Sequence, residues 1–90
     1  MAELHDDAAS GRLEMVEAGQ VVFARYRRDG EQLYIDHVEA PLALRGSGAS
    51  GRFMEKLVRD ARAQGLTLIP ICGYAAHWLA GHPKEAEGVV

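Results

Sequence analysis

What the chain lacks narrows its character first. A single cysteine, Cys72, leaves no internal disulfide to staple the fold, and makes a cytoplasmic setting the default expectation. Prolines number only three while 48% of residues are hydrophobic, which marks a folded globular chain and excludes a disordered one. No apolar run approaches the roughly 18 residues that a membrane-spanning helix requires, so no membrane partner is expected. Basic residues are not in excess: ten Lys and Arg stand against thirteen Asp and Glu, a net charge of −3. That balance argues against nucleic acid as the main partner. His5, His77 and His82 show no metal-ligand spacing. The segment Met1 to Asp7 is acidic and carries no secretory-signal pattern. Ninety residues suffice for one domain, 1–90, with one modest core, burying roughly 60% of the unfolded surface. Internal repeats and linkers are absent.

What is present is concentrated in Arg45-Gly46-Ser47-Gly48-Ala49-Ser50-Gly51, which runs into a helical stretch from Arg52 to Gln64. Three glycines and two serines leave the backbone uncovered, so its N–H groups can converge on one small volume. The adjoining helix adds unpaired amides and the positive end of its dipole. Such a junction suits a phosphate or pyrophosphate, and Arg45 can add a charge-assisted contact. A flexible glycine turn that merely starts a helix is the plainer reading.

Around this loop the elements come in order. Residues 1–9 show no periodicity and are expected to be loose. Arg12 to Glu17 alternates, with Leu13 and Met15 in phase, as a short strand does. Ala18-Gly19 is a tight-turn candidate, and Val21 to Arg27, rich in Val, Phe and Tyr, is a second strand. Asp29-Gly30 is a type I′ pair leading to a third strand, Gln32 to Glu39. Leu33, Ile35 and His37 fall in phase there. Pro41 ends the ladder. In the helix, Phe53, Met54, Leu57, Val58 and Ala61 make one apolar stripe, and Gly65 is placed to stop it. Leu66 to Ile71 is nearly all apolar, as a strand buried on both faces is. Tyr74, Ala75, Trp78 and Leu79 share one side of a last short helix closed by Gly81 and Pro83. Residues 84–90 are expected to be a loose tail. The fold class is α+β: a mainly antiparallel sheet with a strand–glycine loop–helix–strand crossover to a parallel strand.

Gly46, Gly48 and Gly51 satisfy G-x-G-x-x-G, but the context of a dinucleotide site is missing. Six residues, Ala40 to Arg45, separate the strand from the first glycine, and no Asp or Glu lies between Ala61 and Lys84 to hold a ribose. A Walker A loop fails because Arg52-Phe53 stands where Lys-Ser/Thr is required. Arg45-Gly46-Ser47-Gly48-Ala49-Ser50 instead resembles the R-x-x-G-x-G/A pyrophosphate loop of the GCN5-related N-acetyltransferases. The chain is similar, more narrowly, to very small members of that superfamily. Their H-T-E-V-P, L-R-G-x-G, P-x-C and R-H-P motifs have counterparts in His37-Val38-Glu39-Ala40-Pro41, Leu44-Arg45-Gly46-Ser47-Gly48, Pro70-Ile71-Cys72 and Gly81-His82-Pro83. The resemblance spans about residues 10–83. Ser50 replaces the usual Gly or Ala, Gly73 stands where Pro is common, and Val38 and Ala40 replace Thr and Val.

The resemblance implies an acetyl-CoA site, with the pyrophosphate on the amides of Arg45, Gly46, Ser47, Gly48, Ala49, Ser50 and Gly51. The pantetheine arm is expected to pair like an added strand along Val38, Glu39 and Ala40. Acetyl transfer to an amine needs a neutral amine, a polarised carbonyl and a proton for the departing thiolate. Cys72 is a candidate for covalent catalysis or for lining the acyl pocket, against the alternative of a small buried hydrophobe. His37 is a candidate base, or an orienter of Cys72, against a hydrogen-bonded core histidine. A bulge would re-aim it toward the site. Glu39 is a lesser candidate base, and Tyr74 a candidate acid that also fits the apolar stripe. No room exists for extra helices before the loop, so the acceptor side is expected to be open. That suits a macromolecular or unselective amine, or a partner copy in a homodimer that completes the cleft. A non-catalytic acyl-CoA-binding module is the alternative.

Overall fold

The computed structural model describes residues 3–90. Five strands form one sheet in the order β1-β2-β3-β4-β5. These are β1 (His5–Asp7), β2 (Arg12–Glu17), β3 (Gln20–Asp29), β4 (Gln32–Glu39) and β5 (Thr67–Pro70). The first four run antiparallel, and β5 joins β4 in parallel. A 3-10 turn (Leu42–Leu44) and helix α1 (Ala49–Gln64) make the crossover, and α2 (Gly73–Gly81) and α3 (Pro83–Ala86) come after β5. This is the expected α+β arrangement.

Alternation decides which sheet face is buried. Leu13, Met15, Val22, Ala24, Leu33, Ile35 and Leu68 point to one side, where they are covered by the α1 stripe of Phe53, Met54, Leu57, Val58 and Ala61, each itself 2% exposed or less. The apolar residues of α2 and α3 join the same cluster. Gly65 stops α1 at φ 69°. Its N–H donates to the Arg62 carbonyl at 3.2 Å and that of Leu66 to the Ala61 carbonyl at 2.8 Å, a closed Schellman end. Ala18 and Gly19, both at positive φ, make the β2–β3 turn as expected. At the β3–β4 turn the central pair is Gly30-Glu31 instead of Asp29-Gly30. Asp29 stays paired with Gln32, and only Gly30 takes positive φ, at 60°.

Several segments depart from expectation, each for a physical reason. β5 is buried on one face only: Leu68 is covered, whereas Thr67 is exposed and Ile69 half-buried, and Ile71 just beyond the strand is 56% exposed. It is an edge strand, and the face opposite the helices carries half-buried or exposed residues such as Glu14, Phe23, Arg25 and Tyr34. Tyr74 leaves the apolar stripe of α2 and is 39% exposed, whereas Ala75, Trp78 and Leu79 are buried. The tail is docked: α3 forms, and Val89 is 1% exposed. The Leu68 N–H donates to the Val89 carbonyl, and Arg62 Nη2 donates to the carbonyls of Glu85 and Glu87 at 2.7 and 2.8 Å. Of the N-terminal stretch expected to be loose, residues 1–2 lie outside the described residues. His5–Asp7 pairs with Arg12–Glu14. There the Tyr26 hydroxyl donates to the Asp6 carboxylate, which with burial pushes the phenol up to about 12. Segments this short, with one buried side chain or none, have no period to read.

Val89 seals the open edge of β5, so its side chain is expected to contribute to global stability. Val89→Ala should lower the unfolding free energy by about 2 kcal/mol, from lost burial plus a small cavity. Urea denaturation with an unchanged m-value checks this; an unaffected midpoint would mean the tail is not docked in solution.

Candidate functional site

The glycine stretch divides into a turn and the first turn of a helix. Helix α1 starts at Ala49, earlier than Arg52, because Gly48 takes φ 86° and ψ 5° as its N-cap. Gly46 is also left-handed, at φ 80°. Both positions favour glycine. The Ser47 N–H donates to the Leu44 carbonyl at 3.1 Å, and the Ser47 hydroxyl accepts from the Ala49 N–H at 3.3 Å. Among the described residues, the N–H groups of Gly46, Gly48, Ser50 and Gly51 have no acceptor. No acidic side chain occupies the first turn of α1, so the dipole's positive end is uncompensated there. Arg45 is exposed and has no carboxylate within salt-bridge distance among the described residues.

Strand pairing creates the second part of the site. The ladder between β4 and β5 runs from Gln32↔Thr67 to Ile35↔Pro70 and stops. The Ile35 carbonyl then accepts from both Ile71 and Cys72, at 3.0 and 2.9 Å, and the chain turns away into α2. Residues 36–39 continue alone, with β3 on one side and, among the described residues, no strand on the other. Val38 and Ala40 there pack partly against the core. The loop, this free edge and Cys72 thus gather at the C-terminal ends of the two parallel strands. The described concavities around Tyr26 and around Arg59 lie elsewhere and touch none of them.

His37 is not in the core phase. Arg25 pairs with His37 but Tyr26 pairs with Ile35, so Asp36 is an extra residue in a bulge, which reverses the facing of the residues after it. His37 therefore joins Arg25 and Phe23 on the open face, its ring centroid 6.4 Å from that of Phe23. Its Nε2 lies 3.1 Å from Glu39 Oε1. That hydrogen bond holds the Glu39 carboxyl below its ordinary value. No hydrogen bond joins His37 to Cys72 among the described residues. Cys72 is a half-buried free thiol at the N-cap of α2. Burial raises the Tyr74 phenol pKa, and the nearby Cys72 adds to the rise. Among the described residues no three His, Cys, Asp or Glu side chains cluster as metal ligands.

The model of the GCN5-related N-acetyl-transferase family matches residues 12–88. The chain belongs to that family. Its fold is similar to the NMR solution structure of a GCN5-like protein from Staphylococcus aureus, with TM-score 0.67 and 23% identity, over 97% of this chain and 85% of the other. No curated protein sequence matches. The strand–loop–helix–strand unit is thus the acetyltransferase one. Two pairings in this acetyltransferase-family chain have little or no signal in the sequence. Arg52 binds Glu17, 35 positions away, through two hydrogen bonds of 2.7 Å, and no local pattern announces it. His82 stacks on Trp78 at 3.9 Å and holds the Trp78 carbonyl at 2.7 Å; its place in Gly81-His82-Pro83 is the only signal.

The His37–Glu39 pair yields a pH signature. A depressed carboxyl pKa stabilises the fold above the unfolded value and loses that contribution as pH falls through the folded value. NMR titration should find the Glu39 midpoint below its ordinary 4.5, and His37→Ala should return it toward 4.5. An unmoved midpoint would show that the pair does not form.

Proposed function

We propose that the chain binds acetyl-CoA across the Arg45–Gly51 loop and the free edge at Val38–Ala40, and transfers the acetyl group directly to an amine. The observation that carries this reading is the run of unpartnered amides at Gly46, Gly48, Ser50 and Gly51, beside a half-paired strand. Such amides, with the helix dipole, suit a pyrophosphate, and a lone strand edge suits an arm carrying amide groups. Acetyl-CoA supplies the activated thioester. In this reading a strand-edge N–H polarises its carbonyl, and His37, steadied by Glu39, accepts the amine proton as the C–N bond forms. The C–S bond breaks, and the phenol of Tyr74, near Cys72, returns a proton to the thiolate. Cys72 lines the acyl pocket. Only a hairpin joins β3 to β4, so the acceptor side is open. That favours a macromolecular or unselective amine, or a second copy of the chain completing the cleft.

CoA and acetyl-CoA should raise the melting temperature while NAD does not. Arg45→Ala should cost about 1.5–3 kcal/mol of CoA affinity, as one charge-assisted contact does. Gly48→Val should weaken binding further, because its backbone sits at φ +86° and a Cβ there would meet Arg52 Nη1 at 3.0 Å. A folded Gly48 variant with unchanged affinity would remove the loop from the site. Binding of acetyl-CoA without release of free CoA in the presence of a lysine-rich acceptor would leave a non-catalytic acyl-CoA-binding module.

Cys72→Ser separates direct from covalent transfer. Serine nearly preserves volume but is a far weaker nucleophile, so direct transfer predicts that much of the rate survives. Intact-mass spectrometry of wild-type protein should show no acetyl adduct. An adduct forming and decaying as fast as turnover would overturn direct transfer.

A further inference from the structure

We propose that Arg52, held in place by Glu17, is a fixed guanidinium contact for the pyrophosphate of the cofactor, an assignment that rests on the acetyl-CoA reading of the loop. The backbone N–H of Arg52 is used within the helix, donating to the Gly48 carbonyl at 3.0 Å. Its side chain is what remains free to act. Side chains on a helix lean toward its N-terminus, and this one folds back over the glycine turn. Nη1 comes within 3.0 Å of the point where a Cβ on Gly48 would sit. Only glycine leaves that space, so the guanidinium lies against the same turn whose amides are unpartnered.

Glu17 fixes the orientation. The Nε and Nη2 hydrogens both go to its carboxylate at 2.7 Å, the planar fork geometry that arginine favours. An arginine has five N–H donors. Two are used, and both on Nη1 remain without an acceptor among the described residues. The side chain is 47% exposed, so a ligand can reach it. Arg45, by contrast, has no carboxylate partner among the described residues to order it. A guanidinium already ordered by the fold loses less conformational entropy on binding than a free one. The local charge is balanced, with Arg52 and Lys56 against Glu17 and Glu55. Arg52 therefore acts through directed donors, and the net positive field comes from Arg45 and the helix end.

Calorimetric titration of wild type, Arg52→Ala and Arg52→Lys with CoA, dephospho-CoA and S-acetylpantetheine tests this. Arg52→Ala should weaken CoA and dephospho-CoA by the same factor, on the order of 10- to 100-fold, as for a lost charge-assisted hydrogen bond. S-acetylpantetheine, which has no pyrophosphate, should bind the variant as it binds wild type. Arg52→Lys should stay weaker than wild type, because lysine lacks the fork. Unchanged CoA affinity with a lowered melting temperature would reduce Arg52–Glu17 to a tether between β2 and α1. A loss confined to CoA would assign Arg52 to the 3′-phosphate and overturn the pyrophosphate contact. Wild-type protein that binds no CoA would overturn the acetyl-CoA reading itself, and this assignment with it.

Discussion

The parting of β4 from β5 after Ile35 is the constraint on which the rest of the structure depends. One carbonyl takes two successive N–H groups, from Ile71 and Cys72, and no further ladder bond forms between the strands. A parallel pair that continued would have covered the edge of residues 36–39. Because it stops, a stretch of backbone stays unpaired on one side while β3 holds it firmly on the other. Unpaired strand edges are ordinarily a hazard. Here the edge is short, and the glycine turn follows it in the chain within a few residues.

The same geometry ties the C-terminal end of the chain to the candidate site in its middle. β5 is an edge strand of four residues, too short to hold its position by one ladder alone. Val89 lies against its outer side, and Thr67 donates to the Glu31 carbonyl at 2.7 Å. Trp78 packs beside the first turn of α1, its indole nitrogen 3.5 Å from where a Cβ on Gly51 would lie. The crossover unit is therefore braced by α2 and the tail, and β2 to β5 and the helices all contribute to the cluster around Phe53 and Ile35.

Much of the local structure around the candidate site was legible because its signals are local. Glycines that require positive φ, a proline that ends a ladder and an apolar stripe that opens directly after the loop all act within a few residues of themselves. The α1 stripe and the β2–β3 turn result from such rules, as does Gly65 at the helix end. The unreadable parts are those whose cause is distant. His37 alternates with Leu33 and Ile35 in the sequence, yet one extra residue, Asp36, turns it to the open face. Tyr74 fits the helical stripe but no neighbouring element covers it. Glu17 and Arg52 meet only because β2 and α1 pack together.

The order of residues thus determined the strand–loop–helix–strand unit, the backbone conformation of the glycine turn and the family to which the chain belongs. Each depends on steric limits or on hydrophobic periods contained within one segment. Tertiary structure alone decided which strand edge stays open, which face of β5 is covered, where His37 points and what orders Arg52. Those features depend on pairing register and on contacts between segments far apart in the chain, which no local pattern encodes.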